Sequence, residues 1–143
     1  MSSLERKTFN ILLFEDNPAD FYIFKEALKF VDPSIALKLV EDGLEGSSYL
    51  KKEGKYINAV TPDLIILDLN MPKKSGHEVL KEIKVDALLR DIPVAVFSNS
   101  RSPQDREICQ GWPSCRFFNK PGTFTQLAEL VKEILQFATD GIK

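Results

Sequence analysis

The sequence predicts an α/β fold, a doubly wound parallel sheet of five strands covered by five helices. Three observations predict it. Five short runs rich in β-branched, aliphatic or aromatic residues recur at Asn10 to Phe14, Ala36 to Val40, Leu64 to Leu67, Val94 to Phe97 and Cys115 to Phe118. Runs such as ILLF and LIIL lack polar alternation, as strands buried on both faces do. Each run is followed by a segment of helical period, and the strand–helix alternation is that of a parallel sheet with helices on both faces.

The elements follow in order. After the first strand, Pro18 suits a first helical turn, and the helix must end before Asp32-Pro33, because the residue preceding proline resists the helical conformation. The second helix spans Leu44 to Lys52 and stops at Gly54. The third starts at Ser75-Gly76 and places Val79, Leu80, Ile83 and Leu88 on one broad apolar face. Arg90 to Pro93 then leads into the fourth strand. Ser102-Pro103-Gln104-Asp105 opens the fourth helix with a capping serine, a proline and an acid in the first turn, and Gly111 and Pro113 end it. The last helix follows Pro121-Gly122 and carries Phe124, Leu127, Leu130, Val131, Ile134 and Leu135 on a stripe that closes the core.

With 143 residues, 43% of them hydrophobic, the chain supports one core and is too short for two ordinary domains. A single domain over residues 1–143, with a core of about 9–138, is expected, without repeats or linkers. Nineteen Lys and Arg against 21 Asp and Glu leave a net charge of −2, which argues against nucleic-acid or anionic-membrane binding. No apolar run approaches the roughly 20 residues that span a bilayer. The N-terminal stretch MSSLERKTFN has neither a signal core nor a cleavage site, so a cytoplasmic location is expected. Cys109 and Cys115 match no zinc or CxxC spacing and read as buried, reduced thiols.

In open α/β sheets, chemistry gathers beyond the carboxyl ends of the strands. Glu15 and Asp16 follow the first strand, Asp68 ends the third, Ser98 the fourth and Lys120 the fifth. Three carboxylates on one edge repel one another unless a cation sits among them, and hard oxygen ligands of this kind suit Mg²⁺.

ILLFEDNPAD, DLIILDLNMPKKSGHEVL, IPVAVFSNS and FFNKP resemble the corresponding segments of response-regulator receiver domains, from Ile11 to about Phe137. The hydroxyl and the lysine stand 30 and 52 residues after the acceptor position, Asp68, as in many receivers. The resemblance implies the flavodoxin/CheY-like strand order 2-1-3-4-5. It also implies Asp68 as phosphoacceptor, Asp16 as a direct metal ligand, Glu15 as a metal-site acid acting through water, and Asn70 as a ligand through its carbonyl. Lys120 would neutralise phosphoryl oxygens, and such a domain catalyses only its own phosphorylation and dephosphorylation. Ser98 would turn toward the phosphoryl group while Phe117 swings inward, although Phe117 also reads as an ordinary strand core residue. The Lys120-Pro121 bond is typically cis in such proteins.

A sensor histidine kinase is the implied phosphodonor. The loop Lys51 to Pro62 and the DLNMPKKSG segment look similar to stand-alone receivers partnered with bacterial phytochromes, which often dimerise through the fourth helix, fifth strand and fifth helix. No output domain is expected within the chain, so the signal would pass to a downstream protein of unknown identity. Asn99 and the tract Gly111 to Arg116 depart from the usual pattern, which bears on access and partner choice. The aromatics at 21, 22, 24 and 30 exceed one buried stripe, so some of them, Tyr22 in particular, are expected to face outward where a kinase docks. His77 reads as a solvated helix position without a partner. Two competing readings fit less well. A haloacid-dehalogenase-like phosphohydrolase needs an aspartate where Asn70 stands, and the acidic loop after the first strand would repel the phosphates of a nucleotide. A phosphorylation-independent receiver would not need the full residue set.

Overall fold

The computed structural model describes residues 8–140, so the N-terminal stretch considered for a signal lies, up to Lys7, outside the described residues. The order is β1 (Asn10–Phe14), α1 (Pro18–Val31), β2 (Ala36–Val40), α2 (Gly43–Leu50), β3 (Leu64–Leu67), α3 (Gly76–Val85), β4 (Val94–Ser98), α4 (Pro103–Arg106), β5 (Cys115–Asn119) and α5 (Phe124–Asp140). The strands form one parallel sheet in the order β2-β1-β3-β4-β5. Phe14 pairs with both Val40 and Leu67, and Ser98 with Asn119, so the carboxyl ends lie side by side.

Alternate strand residues point to opposite faces, and each face has its own core. Leu12, Phe14, Ile65, Leu67, Val94 and Val96 pack with Leu50 of α2 and Val79, Leu80 and Ile83 of α3. Ile11, Leu13, Leu64, Ile66, Ala95 and Phe97 pack with Phe24, Ala27 and Leu28 of α1 and Leu127, Val131, Ile134 and Ala138 of α5. Each fully buried aliphatic side chain contributes about 2 kcal/mol relative to an exposed one.

Local chemistry sets the helix starts. Asn17 Oδ1 accepts the N–H groups of Ala19 and Asp20 at 2.9 and 3.1 Å, with Pro18 in the first turn. Ser75 and Glu78 form a reciprocal capping box at α3. Gly46 lets α2 approach the sheet. A Cβ there would lie 1.9 Å from the buried Phe14 ring, so Gly46→Ala is expected to lower stability by about 2–3 kcal/mol, read as a reduced urea midpoint.

The helices depart from expectation in several places. α2 ends at Leu50, and the chain then turns through Lys52, with φ of 57°, into a 3₁₀ turn at Gly54–Tyr56. α3 stops at Val85 because the Asp86 carboxylate accepts the Leu88 N–H at 2.8 Å, a local bond that competes with helix continuation. Leu88 therefore lies beyond the helix, 88% exposed, and not on its apolar face. α4 is one turn rather than a helix reaching Gly111. It buries no side chain of its own, and a short segment without an apolar stripe has little to hold it helical.

The turns after α4 fold back on β5, with Trp112 N–H donating to Cys109 and Cys115 N–H to Trp112. Cys109 and Cys115 thereby come to a Cα separation of 5.1 Å and are joined in a disulfide, not left as the reduced thiols expected. Phe124 is half-exposed at the rim of the core, edge-to-face with Phe30, rather than inside it. No peptide bond among the described residues is cis, so Lys120-Pro121 is trans, the lower-energy isomer even before proline. No helix among the described residues is long and apolar enough to cross a membrane.

Candidate functional site

The five residues singled out at the strand ends meet at the carboxyl edge of the sheet. β1 delivers Glu15, whose N–H continues the ladder by donating to Val40 at 3.0 Å and whose side chain is buried. Asp16, next in the chain, is exposed. β3 delivers Asp68, also buried, and β4 ends in Ser98, which has no exposed surface. Lys120 follows β5, and its N–H donates to the Ser98 carbonyl at 3.0 Å.

One ammonium ties the acids together. Lys120 Nζ lies 2.8 Å from Asp68 Oδ2, 3.1 Å from Glu15 Oε1 and 3.6 Å from Asp20 Oδ2. The other Asp68 oxygen accepts the Asn70 N–H at 3.0 Å, which orients the carboxylate. Gly76 closes the loop after β3: its N–H donates to Leu69, and a Cβ there would lie 2.4 Å from the Asp68 carbonyl oxygen. Any larger residue would push the backbone that carries Asp68.

Burial pushes the Glu15 carboxyl above its ordinary value, against the opposing pull of Lys120 and of the Asn17 N–H. Burial pulls on the Lys120 ammonium too, but the Asp68 and Glu15 carboxylates outweigh it, and the net shift is upward. Glu15, Asp16 and Asp68 each offer one oxygen, and these atoms lie within 4.8 Å of one another. Such a hard-oxygen set fits a small divalent cation, and the exposed Asp16 leaves a side open for its entry.

Asp20 was not foreseen in the site. Its only sequence signal is the acid in the first turn of α1, three residues after the Asn17 cap. Phe117 is half-buried against the core on the α3 face, with the Arg106 guanidinium 5.7 Å from its ring. Ser98 Oγ accepts the Ser100 N–H at 3.0 Å. Contrary to the expectation of an unpartnered solvated position, His77 pairs with Asp105, Nε2 to Oδ1 at 2.7 Å. The two are 28 residues apart and meet only because α3 and α4 are neighbours in the fold. On α1, Phe24 is buried while Tyr22 and Phe30 are 62% and 71% exposed, so the surplus aromatics do face outward.

A parallel sheet in this order, with an acid cluster, a buried hydroxyl and a lysine at its carboxyl edge, defines a receiver. The chain belongs to the response regulator receiver domain family, which matches residues 11–132. Response regulator Rcp1 of Synechocystis is 44% identical over 95 residues, which is 66% of this chain and 65% of Rcp1, just under two thirds of that relative. Among solved structures, the phosphorylated cyanobacterial phytochrome response regulator RcpA superposes with a TM-score of 0.81 at 41% identity, covering 93% of this chain and 95% of that one. The Mn²⁺-bound form of Rcp1 gives 0.80 at 37%, covering 90% and 93%.

Proposed function

We propose that the protein is a stand-alone response regulator that takes a phosphoryl group onto Asp68 from a histidine kinase. The observation that carries this reading is the Asp68 carboxylate held between the Asn70 N–H and the Lys120 ammonium, beside two further acids. In the transfer, an Asp68 oxygen forms a bond to phosphorus while the bond from phosphorus to the donor nitrogen breaks and the imidazole leaves with its electron pair. Glu15, Asp16 and Asp68, with the Asn70 carbonyl, would hold Mg²⁺, which when bound spreads the negative charge of the phosphoryl oxygens. Lys120 is placed to follow that charge as it develops, since it already touches Asp68.

Ser98 then turns its hydroxyl toward a phosphoryl oxygen and Phe117 moves into the space released, carrying the change to α4 and β5. The relatives named as phytochrome response regulators favour a bacterial phytochrome as the kinase. The exposed Tyr22 and Phe30 of α1 suit its docking. Output passes, in the cytoplasm, to a separate downstream protein or through a homodimer built on α4, β5 and α5. Incubation with Mg²⁺ and acetyl phosphate is expected to add the mass of one phosphoryl group, an addition that EDTA abolishes. An unchanged mass in a folded, Mg²⁺-binding protein would overturn the reading.

A further inference from the structure

Ser98 is the inner end of a hydrogen-bonded chain that reaches the protein surface. Its Oγ accepts the Ser100 N–H at 3.0 Å, and Ser100 Oγ donates to Asp105 Oδ2 at 2.6 Å. The second Asp105 oxygen accepts from His77 Nε2 at 2.7 Å. Ser102 closes the loop on itself, its N–H donating to Ser100 Oγ and its Oγ accepting the Asp105 N–H. The segment between β4 and α4 is thus pinned at one end by the Ser98 hydroxyl and at the other by the α3 imidazole. Since α4 contributes no buried side chain, polar ties of this kind carry much of its attachment.

We propose that His77 is a positioning residue for phosphorylation, holding Ser98 through Asp105 and Ser100 in the unphosphorylated arrangement; this rests on the reading of Asp68 as the phosphoacceptor. To reach a phosphoryl group on Asp68, Ser98 Oγ must leave the Ser100 N–H or draw Ser100 with it. Either movement works against the Asp105 carboxylate, both of whose oxygens are already engaged. Hydrogen bonds from Ser100 and His77 hold the Asp105 carboxyl below its usual value, so it stays ionised and keeps its grip through the neutral range.

The test is calorimetric titration of Mg²⁺ and beryllofluoride, a stable phosphoryl mimic, into the full chain. Wild type, His77→Gln and His77→Ala are compared, each checked for folding by circular dichroism. His77→Ala, which removes the donor to Asp105, is expected to bind the mimic roughly three- to tenfold more tightly than wild type, about the worth of one net hydrogen bond. His77→Gln, whose amide can still donate to Asp105, is expected to return the affinity toward the wild-type value. Equal affinities for all three proteins would overturn the tie and leave Asp68 as acceptor. No binding by any of the three folded proteins would overturn both.

Discussion

Asp68→Asn is expected to abolish phosphoryl uptake while leaving the protein folded. The substitution keeps the shape of the side chain and the contact with the Asn70 N–H, which an amide oxygen accepts as well as a carboxylate does. What disappears is the anionic oxygen proposed to bond to phosphorus. A loss beyond about a thousandfold, equivalent to roughly 4 kcal/mol in the barrier, is expected in the initial rate of mass gain from acetyl phosphate. Stability is expected to change little or to rise, because the site crowds Glu15, Asp16, Asp20 and Asp68 around one ammonium. A variant that still gained one phosphoryl group at the wild-type rate would place the acceptor on another side chain.

Lys120→Met separates two roles of the lysine. Binding of Mg²⁺ at the proposed site of Glu15, Asp16 and Asp68 is expected to survive and to tighten, because a competing cation has been removed. Phosphoryl transfer is expected to fall by about a hundredfold through loss of charge stabilisation. Without metal, breaking the pair is expected to cost about 3 kcal/mol, since Glu15 and Lys120 are only 4% and 12% exposed and the buried acid loses its cation.

That cost depends on pH. Burial already raises the Glu15 carboxyl above 4.5, and without Lys120 only the Asn17 N–H is left to oppose it. A carboxyl raised in the folded state costs nothing while it is protonated in both states, below its unfolded value. The penalty appears as pH rises through the folded value. Urea unfolding in EDTA at pH 5 and pH 8 is therefore expected to show a smaller gap between variant and wild type at pH 5. A gap that is constant with pH would remove Glu15 as its source.

β1, β3 and β4 were legible because their residues are buried on both faces and leave an unbroken apolar record, as in Leu64 to Leu67, whereas the edge strands β2 and β5, with Lys38 and Arg116 exposed, showed only through their aliphatic and aromatic content. The site was legible for a related reason: a parallel sheet collects its carboxyl ends on one edge, so Glu15, Asp16, Asp68, Ser98 and Lys120 could be placed together from their positions after the strands. Features that depend on how one helix lies against another were not. His77 and Asp105 carry no mutual spacing signal, and neither do Asp20 and Lys120. The Cys109–Cys115 bond arises because α4 stops after one turn, and that in turn reflects an absent apolar stripe more than any breaker residue. Leu88 has the right period for α3 but lies past a local aspartate turn, where a hydrogen bond outweighs periodicity.

Because α1 and α5 cover the same face of the sheet, that face is completed by the earliest-made and the latest-made of the five described helices. During synthesis the opposite face can be closed by α2 and α3 while Ile11, Leu13, Leu64 and Ile66 still wait for Leu127, Val131 and Ile134. A nascent chain arrested before Phe124 exposes a half-covered aliphatic sheet, the kind of surface that chaperones bind and aggregates grow from. The helix that carries the outward aromatics is thus made ahead of the other four described helices and is fully seated only once α5 arrives.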